Sequence, residues 1–461
     1  MNVAIIVMDS VRAADVDETT MPTLSSMTSR TALAPSSWTL PTHASLYSLK
    51  SPIAHETTRP TDRLTDHAFV DAIRAAGFTV GGFSENPYFS ARFGFAEPID
   101  YFDDDIHHKP RRSGYSFKRL VEREPSRPKR YVRAAHHLLH SNERVADLHN
   151  GIRFVRGTDD RRRQFYGDRV LSHARDWLST GSEDSVAIIN LLDAHQPHVP
   201  TKYSDALGYD FSEPEIRALD RFDGMEFLSG QRIDDCDHLA PFDTWDELFE
   251  RLHAAYRTQI RYLDDIVSEF IRSCDDVVPI VTSDHGQMLG EEGWFDHHGV
   301  LHPKAVEVPF FVGEGAESEL TGETVHGLVA EVFAHLTDGV TPVIGSGETL
   351  VASDGIARQV DSGWTLDEGP TSRLSTDDLL CRRVARPSDS LTTIFESPWS
   401  SSEIHVKQYE RSGEAGRQLV DRCPYDGQLE ASVASWLRAS PEAYGSIDST
   451  TADRLDRLGY L

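Results

Sequence analysis

Three aspartates stand directly after short apolar runs that are predicted to be buried strands. Asp9 follows Val3–Met8, Asp193 follows Ser185–Leu192, and Asp284 follows Val277–Ser283. Side chains at the carboxyl ends of parallel strands meet at one edge of the sheet, where open α/β proteins bind ligands. A single aspartate in such a position is often a helix cap instead, but three of them favour a binding edge.

Histidines come close behind two of these aspartates. The segments are Asp193-Ala-His195-Gln-Pro-His198 and Asp284-His285-Gly286, and His297-His298 follow shortly after the second. Carboxylates beside imidazoles suit a divalent cation, with Ca, Mg, Mn and Zn all compatible. The sequence therefore predicts a metal site at this edge. Asp193 and His198 either complete a second metal site, with His297 as a further candidate, or Asp193 caps a turn.

A hydroxyl is predicted at the mouth of a helix between Ser36 and Tyr47. Pro41 suits the first residue of that helix, so Thr39 would lie just before the helix N-terminus. Free N–H groups and the helix dipole stabilise an anion there. Beside a cation held by Asp9 and Asp284, the Thr39 hydroxyl would be placed to lose its proton and attack a tetrahedral phosphorus or sulfur. The alternative is that Thr39 only caps its helix.

The elements that would position these residues have the pattern of an α/β fold. Runs rich in Val and Ile alternate with helical segments, which predicts a large, mainly parallel sheet sandwiched by helices. The clearest strands are Val3–Met8, Phe78–Phe83, Ser185–Leu192, Val277–Thr282 and Val308–Val312. One helix is predicted to open at Pro22, and a long amphipathic helix follows Thr244.

Two domains are predicted. Residues 1–340 would form the catalytic α/β domain, with rim insertions at about 103–165 and 204–247 that fit its core poorly. Residues 341–461 would form a small C-terminal domain with an antiparallel sheet and a helix near Leu429–Leu437.

The composition limits the kinds of partner and the cellular location that we expect for this chain. With 46 Lys and Arg against 74 Asp and Glu, the net charge of −28 argues against nucleic acid as a partner and is typical of a salt-adapted, halophilic surface. The exception is the basic stretch 109–135, which is either a solvated insertion or a rim that attracts an anionic substrate. No apolar run spans a bilayer and no signal peptide precedes Val3, so we expect a cytoplasmic protein. Four cysteines without CxxC spacing indicate reduced thiols.

Taken together, several segments resemble the sulfatase family of the alkaline phosphatase superfamily. They are collinear along the chain: Asn2–Arg12, Trp38–Tyr47, Leu192–His198, Val281–Gly286 with Gly293–Pro309, and Arg457–Leu461. The resemblance implies an alkaline-phosphatase-like fold, Asp9, Asp284 and His285 as metal ligands, and Thr39 as nucleophile. It also implies that His195 contacts the transferred group or protonates the leaving oxygen, and that His297 or His298 is a further site histidine. The local spacing does not decide between these two, and we favour His298 because Gly299 follows it directly.

The departures from the family pattern bear on the substrate. Sulfatases carry Cys or Ser at the nucleophile position, matured to formylglycine, with Arg four residues later; Thr39 and His43 stand there in this chain. The Lys and His expected after Phe78–Phe83 are replaced by Ser84-Glu85-Asn86-Pro87, and Ser10 replaces a second aspartate. Threonine cannot be matured in this way, and the site has fewer cations to bind a sulfate dianion.

The sequence therefore predicts a metal-dependent hydrolase that cleaves a small anionic sulfate or phosphate ester through a covalent Thr39 intermediate. Asn86 is a candidate donor to a non-bridging oxygen. The alternatives are a phosphodiesterase or phosphotransferase of the same superfamily, or a non-catalytic binding module that retains the fold. Oligomeric state is left open.

Overall fold

The computed structural model of the protein describes most of the first 337 residues and a set of later strands. The described residues are 1–104, 106, 127–141, 144–155, 166–180, 184–228, 230–274, 276–314, 316, 320–337, 351–353, 359–360, 363–364, 381–386, 391–398, 405–411 and 417–424. The predicted C-terminal helix near Leu429–Leu437 and most of the basic stretch 109–135 lie outside these residues.

A seven-stranded sheet forms the centre of the fold, in the order β2-β9-β6-β1-β5-β3-β4. Strands β1, β3, β4, β5 and β6 run parallel, and β9 pairs antiparallel with β6 and β2. The strands are β1 (Asn2–Met8), β2 (Thr28–Leu33), β3 (Thr79–Phe83), β4 (Tyr101–Asp103), β5 (Ser185–Leu191), β6 (Val277–Thr282), β7 (Met288–Leu289), β8 (Phe295–Asp296) and β9 (Glu307–Val312). Each of the five predicted strands is present, with ends within one residue of the prediction.

Helices cover both faces of this sheet. The α-helices of the described residues are α1 (Thr39–Ser48), α2 (Pro52–His55), α3 (Ala68–Ala75), α4 (Arg127–His140), α5 (Arg144–Val155), α6 (Gly167–Leu178), α7 (Glu213–Arg221), α8 (Gly224–Leu228), α9 (Trp245–Ser273), α10 (Pro303–Val306) and α11 (Val325–Leu336). The predicted long helix is α9, whose first turn is capped by the Thr244 side chain accepting a hydrogen bond from Glu247 N at 3.1 Å.

The side chains of β1 alternate between the two faces of the sheet, and this explains why the core has two halves. Ala4, Ile6 and Met8 pack into a cluster under α6 and α9, whereas Val3, Ile5 and Val7 pack on the opposite face under α1, α3 and α11. Successive side chains of a strand point to opposite faces, so a strand that is apolar throughout must lie inside the sheet. Strand β1 is accordingly central, with β5 and β6 on either side.

Two local predictions are corrected. The segment after Pro22 forms only a 3₁₀ turn at Leu24–Ser26, because its cap Thr23 carries no side-chain hydrogen bond and the chain turns extended at Met27 to enter β2. The segment 204–247, predicted to fit the core poorly, buries large apolar side chains in the cluster under α9; these are Leu219, Phe227, Leu228, Leu239 and Phe242. Its acidic residues had masked this apolar content.

The described strands after residue 350 form the predicted antiparallel sheet. The order is β10-β13-β14-β15-β16, made by Val351–Ser353, Cys381–Arg386, Leu391–Pro398, His405–Arg411 and Arg417–Pro424. Strands β11 (Gln359–Val360) and β12 (Gly363–Trp364) pair separately. Among the described residues, no helix combines the length and apolarity that crossing a membrane requires.

Candidate active site and metal centre

The carboxyl ends of the neighbouring strands β1 and β6 bring Asp9 and Asp284 together. Both side chains are fully buried, and Ser10 joins them, donating from its Oγ to Asp9 Oδ1 at 3.0 Å and from its N to Asp284 Oδ1 at 3.3 Å. Ser10 takes a left-handed backbone conformation with φ of 65°, which turns both of its donors toward the carboxylates. The sequence pattern predicted the two aspartates but not this role of Ser10.

His285 completes a group that fits a divalent cation. One potential ligand atom from each of Asp9, Asp284 and His285 lies within 4.8 Å of the others. His285 Nδ1 bonds Gly286 O at 2.9 Å, which assigns its proton to Nδ1 and leaves Nε2 as the acceptor, 3.6 Å from both Asp9 Oδ1 and Asp284 Oδ2. Asp284 Oδ2 is buried without a hydrogen-bond partner among the described residues. Two buried carboxylates with an orphaned oxygen and one imidazole match the donor set for a metal ion.

The pKa directions agree with a cation site. Burial, together with the nearby negative charge of Asp9, raises the pKa of Asp284 well above its usual value. Burial also opposes ionisation of Asp9, but His195 and His285 and the Ser10 and Asn86 hydrogen bonds outweigh it and lower the Asp9 pKa. Burial lowers the pKa of His285 to about 4, so its imidazole is neutral and available as a ligand at pH 7.

Thr39 lies against this group as the first residue of α1. The preceding residue, Trp38, is extended with φ of −159°, and the helix begins at Thr39 rather than at Pro41 as predicted. Pro41 is still tolerated because the first turn of a helix has no intrahelical partner for its N–H groups. The Thr39 Oγ1 atom donates to Asp9 Oδ2 at 3.3 Å and lies 3.4 Å from His285 Nε2.

Asn86 links the nucleophile candidate to the metal-ligand candidate. Its Nδ2 donates to Asp9 Oδ2 at 2.6 Å and to Thr39 Oγ1 at 3.1 Å, while its Oδ1 accepts from Tyr88 N at 2.8 Å. The side chain is fully buried. The amide therefore orients the Thr39 oxygen, in addition to the contact with a substrate oxygen that the sequence suggested.

His43, one turn after Thr39, is a neutral imidazole rather than a cation. Its Nδ1 donates to Thr39 O at 3.0 Å and its ring packs on Phe89 with 4.4 Å between centroids. Burial lowers the pKa of His43 to about 4. The residue thus does not supply the positive charge of the arginine that the family resemblance puts at this position.

A second set of imidazoles lies beside Asp9, Asp284 and His285, which we call the Asp9 group. The hairpin β7–β8 carries the chain from His285 back to Asp296, His297 and His298, and the His297 ring stacks on His285 with 4.0 Å between centroids. His195 Nε2 lies 3.2 Å from His297 Nε2. The structure therefore places all three predicted histidines, and also the unpredicted Asp296, beside the Asp9 group.

The side chains of Asp193 and His198 form hydrogen bonds with residues outside the Asp9 group. Asp193 Oδ1 accepts from Gly167 N at 3.1 Å at the start of α6, the position of a helix cap, and burial raises the pKa of Asp193 to about 7. His198 Nδ1 bonds Gln259 Oε1 at 3.0 Å. Neither residue belongs to a metal-ligand group found among the described residues, so the structure gives no support to a second metal site built from this pair.

Tyr256 on α9 was also missed by the sequence interpretation, because it reads as one more residue of an apolar stripe. Its hydroxyl donates to Ser10 O at 2.6 Å and accepts from Arg12 N at 3.0 Å. It thereby fixes the backbone on both sides of Val11, directly after Asp9. A buried tyrosine on an apolar helix face carries no sequence signal for this role.

Comparisons with known proteins agree with this fold and with the family resemblance. The sulfatase family model matches residues 1–333. A choline-sulfatase of Rhizobium meliloti (strain 1021) is 33% identical over 119 residues, which cover 23% of this chain and only 22% of the length of that protein.

Solved structures share the fold at low sequence identity. A phosphonate monoester hydrolase of Agrobacterium radiobacter has a TM-score of 0.51 and 14% identity, with 90% of each chain covered. The phosphonate monoester hydrolase SpPMH of Silicibacter pomeroyi has a TM-score of 0.50 and 14% identity, covering 90% of this chain and 89% of that one. The predicted fold class and the predicted family resemblance are confirmed.

Proposed function

Because this chain belongs to the sulfatase family, we propose that it hydrolyses a phosphate or sulfate ester by transferring the phosphoryl or sulfuryl group first to Thr39 and then to water. The observation that carries the proposal is the position of Thr39 Oγ1, 3.3 Å from Asp9 Oδ2 and 3.4 Å from His285 Nε2 at the N-terminus of α1. A hydroxyl in this position meets the geometric requirement for an activated nucleophile.

Asp9, Asp284 and His285 would hold a divalent cation, which would neutralise non-bridging oxygens of the ester and lower the pKa of the Thr39 hydroxyl. The chain's own groups prepare the attack. Thr39 directs its proton toward Asp9 Oδ2, and Asn86 Nδ2 binds the same Thr39 oxygen and would stabilise negative charge as it develops. The helix N-terminus adds a favourable dipole.

The covalent steps balance as two displacements. In the first, the Thr39 hydroxyl gives up its proton toward Asp9 Oδ2 and Thr39 Oγ1 forms a bond to phosphorus or sulfur. The leaving oxygen departs in line on the opposite side with the bonding electron pair and is protonated by solvent. In the second, water attacks the same atom, the bond to Thr39 breaks, and one proton of the water passes to the Thr39 oxygen and regenerates the hydroxyl. We assign the leaving oxygen to the side of His195, whose Nε2 lies 3.2 Å from Nε2 of His297, the ring that stacks on His285.

The charges of the site favour a substrate with a single negative charge on the transferred group. His43 is neutral, and Asn86 stands where the family resemblance puts cationic residues. Phosphodiesters, phosphonate monoesters and sulfate monoesters carry one charge there, whereas phosphate monoesters carry two near neutral pH. A formylglycine releases sulfate by collapsing to its aldehyde, which a threonine cannot do. A phosphothreonine is instead hydrolysed when water attacks phosphorus, so we favour the phosphorus esters.

The test is a substrate panel combined with trapping of the intermediate. Aryl phosphodiester, aryl phosphonate, aryl sulfate and aryl phosphate are assayed with Mn, Mg, Ca or Zn added. We expect Thr39→Val to lower kcat/KM by at least about 1,000-fold and Thr39→Ser to retain most activity. An acid-quenched reaction should show a covalent adduct on the peptide that contains Thr39 by mass spectrometry.

Thr42 supplies the matched control on the same helix. It is also buried, and its hydroxyl bonds only Ser36 O, at 3.5 Å, in the described part of the chain. Thr42→Val should therefore keep kcat/KM within a few-fold. Activity of Thr39→Val close to wild type would refute the covalent mechanism, and turnover of no ester by metal-loaded protein would favour the binding module.

A further inference from the structure

The helices α4 and α5 belong to a positively charged stretch of an otherwise acidic chain. Residues 109–155 hold twelve Lys and Arg against four Asp and Glu, whereas the whole chain has a net charge of −28. Within this stretch the structure describes Arg127–His140 and Arg144–Val155, which we call the basic hairpin. We propose that the basic hairpin docks the protein on an anionic lipid surface. This proposal is independent of the reaction proposed above.

One face of α4 presents basic and imidazole side chains to solvent. Residues three and four apart lie on the same face of a helix. Four exposed residues follow each other at such steps along α4, namely Lys129, Arg133, His136 and His140. The rings of His136 and His140 stack with 4.2 Å between their centroids, as side chains on a common face do. The exposed side of α4 is therefore a polar stripe with basic residues at its N-terminal end.

Exposed apolar side chains lie at the start of α5. Val145 is 82% exposed and Leu148 is 53% exposed; among the described residues, Met1 is the only other large apolar side chain that is exposed. Val145 and Leu148 are three residues apart, so they share one face of the helix. Arg144 beside them is also exposed. Apolar side chains next to basic ones are typical of helices that lie in a membrane interface.

The packing of the two helices determines which face of α5 is turned outward. Ala146 and Asp147, which lie between the two exposed apolar residues in the sequence, are buried. Asp147 Oδ2 lies 3.1 Å from His137 Nε2 on α4, so a polar contact joins the buried face of α5 to its neighbour. The exposure of Val145 and Leu148 therefore follows from the way α5 packs on α4.

This combination of side chains favours a lipid surface over a nucleic acid or another polyanion. A polyanion gains from the positive charges and leaves Val145 and Leu148 in water. At an anionic membrane, each Lys or Arg gains from the surface potential, and each apolar side chain gains by entering the boundary of the acyl chains. The acidic remainder of the chain does not cancel this attraction, because charges more than about 10 Å apart are largely screened at about 0.1 M salt.

The insertion that contains the basic hairpin is attached to the sheet at the edge of the candidate site. The chain enters the insertion after Asp103, at the carboxyl end of β4, and leaves it at Gly167, whose N donates to Asp193 Oδ1 just after β5. Strands β4 and β5 run parallel to β1. Both attachment points therefore lie at the edge of the sheet that also carries Asp9.

Co-sedimentation with vesicles tests the proposal without any ester substrate. The protein is mixed at about 0.1 M salt with vesicles of phosphatidylglycerol and phosphatidylcholine, or of phosphatidylcholine alone, and the bound fraction gives Kd. We expect binding to the anionic vesicles only. Lys129→Gln/Arg133→Gln should raise Kd at least about tenfold because two basic contacts with the surface are lost. Val145→Ser/Leu148→Ser should also raise it at least about tenfold because two apolar contacts are lost.

Lys50 and Lys202 supply the matched control for charge. Both are exposed and lie outside the basic hairpin, and their replacement changes the net charge as much as the replacement of Lys129 and Arg133 does. Lys50→Gln/Lys202→Gln should therefore keep Kd within about twofold of wild type, since local charge governs binding at this salt concentration. Urea unfolding checks that each variant is folded. If a double variant does not fold, its two single variants are measured instead.

Three results would overturn the proposal. The first is no binding of the wild type to anionic vesicles, and the second is an unchanged Kd in both hairpin variants. The third is a raised Kd in Lys129→Gln/Arg133→Gln but an unchanged Kd in Val145→Ser/Leu148→Ser, which would identify a surface for polyanions instead of lipid. Turnover of aryl esters without vesicles should be the same in all these variants, so failure of docking would leave the proposed function intact.

Discussion

Replacing Asn86 by alanine tests whether one buried amide couples the proposed nucleophile, Thr39, to the proposed metal centre. The variant removes a donor that is 2.6 Å from Asp9 Oδ2 and 3.1 Å from Thr39 Oγ1. A hydrogen bond to a charged group contributes about 1.5–3 kcal/mol. Each 1.36 kcal/mol in a barrier is a factor of ten, so the expected loss in kcat/KM is about 10- to 150-fold. By the proposed mechanism, loss of the Asp9 bond should weaken metal binding, and loss of the Thr39 bond should lower kcat.

The same change has a separate cost in stability. Asn86 Oδ1 accepts from the N–H of Tyr88, and leaving that buried donor unsatisfied costs about 1–3 kcal/mol. Urea unfolding measures this term independently of activity. Kinetics at saturating metal then isolate the effect on Thr39, and the metal dependence of the rate isolates the effect on Asp9. A folded Asn86→Ala variant with kcat/KM within about threefold of wild type would refute the coupling.

Two further predictions concern residues that support the site. Tyr256→Phe leaves Ser10 O and Arg12 N without their buried partner, so we expect a loss of about 1–3 kcal/mol in urea unfolding and weaker metal binding in chelator competition; unchanged affinity would contradict the positioning role. For Glu291, burial raises the pKa but Arg12 and Lys304 outweigh it and lower it from 4.5 to about 2. Its stabilisation, about 3 kcal/mol, is therefore present above pH 4.5 and lost as pH falls toward 2. Glu291→Gln should be less stable than wild type at pH 7, with the difference shrinking as pH falls below 4.5 and vanishing below pH 2; a difference that stays constant over this range would contradict this.

The part of the site built on strand ends could be predicted from the sequence. Asp9 and Asp284 follow apolar runs that had to be buried strands, and the runs turned out to be neighbours in the sheet. Asp193 follows the adjacent strand in the same way, yet its side chain turns to the start of α6. A strand followed by an aspartate predicts that the aspartate lies at the carboxyl edge of the sheet. Whether its side chain then binds a metal or caps a helix depends on its rotamer, which is set by residues that are distant in sequence.

The part built on turns could not be predicted. Asp296 lies at the end of a two-residue strand with a positive φ, and no periodicity marks such a position. The signal available was the adjacency of Asp296, His297 and His298, three potential ligands in a row. Pro41 was taken as the first helical residue, which put Thr39 two residues before the start of its helix; this error is within the usual range for helix ends.

The central position of β1 has a consequence for how the chain acquires its structure. Asn2 of β1 pairs with Ser185 on one side and with Val277 on the other. Strand β1 is therefore synthesised long before either of its two partners. Contacts of such long sequence separation form slowly and leave an apolar strand exposed in the meantime. The two carboxylates of the proposed metal centre follow β1 and β6, so they come together only when these two strands have paired. The proposed site therefore assembles only after β6 has been synthesised, and a shorter nascent chain cannot carry it.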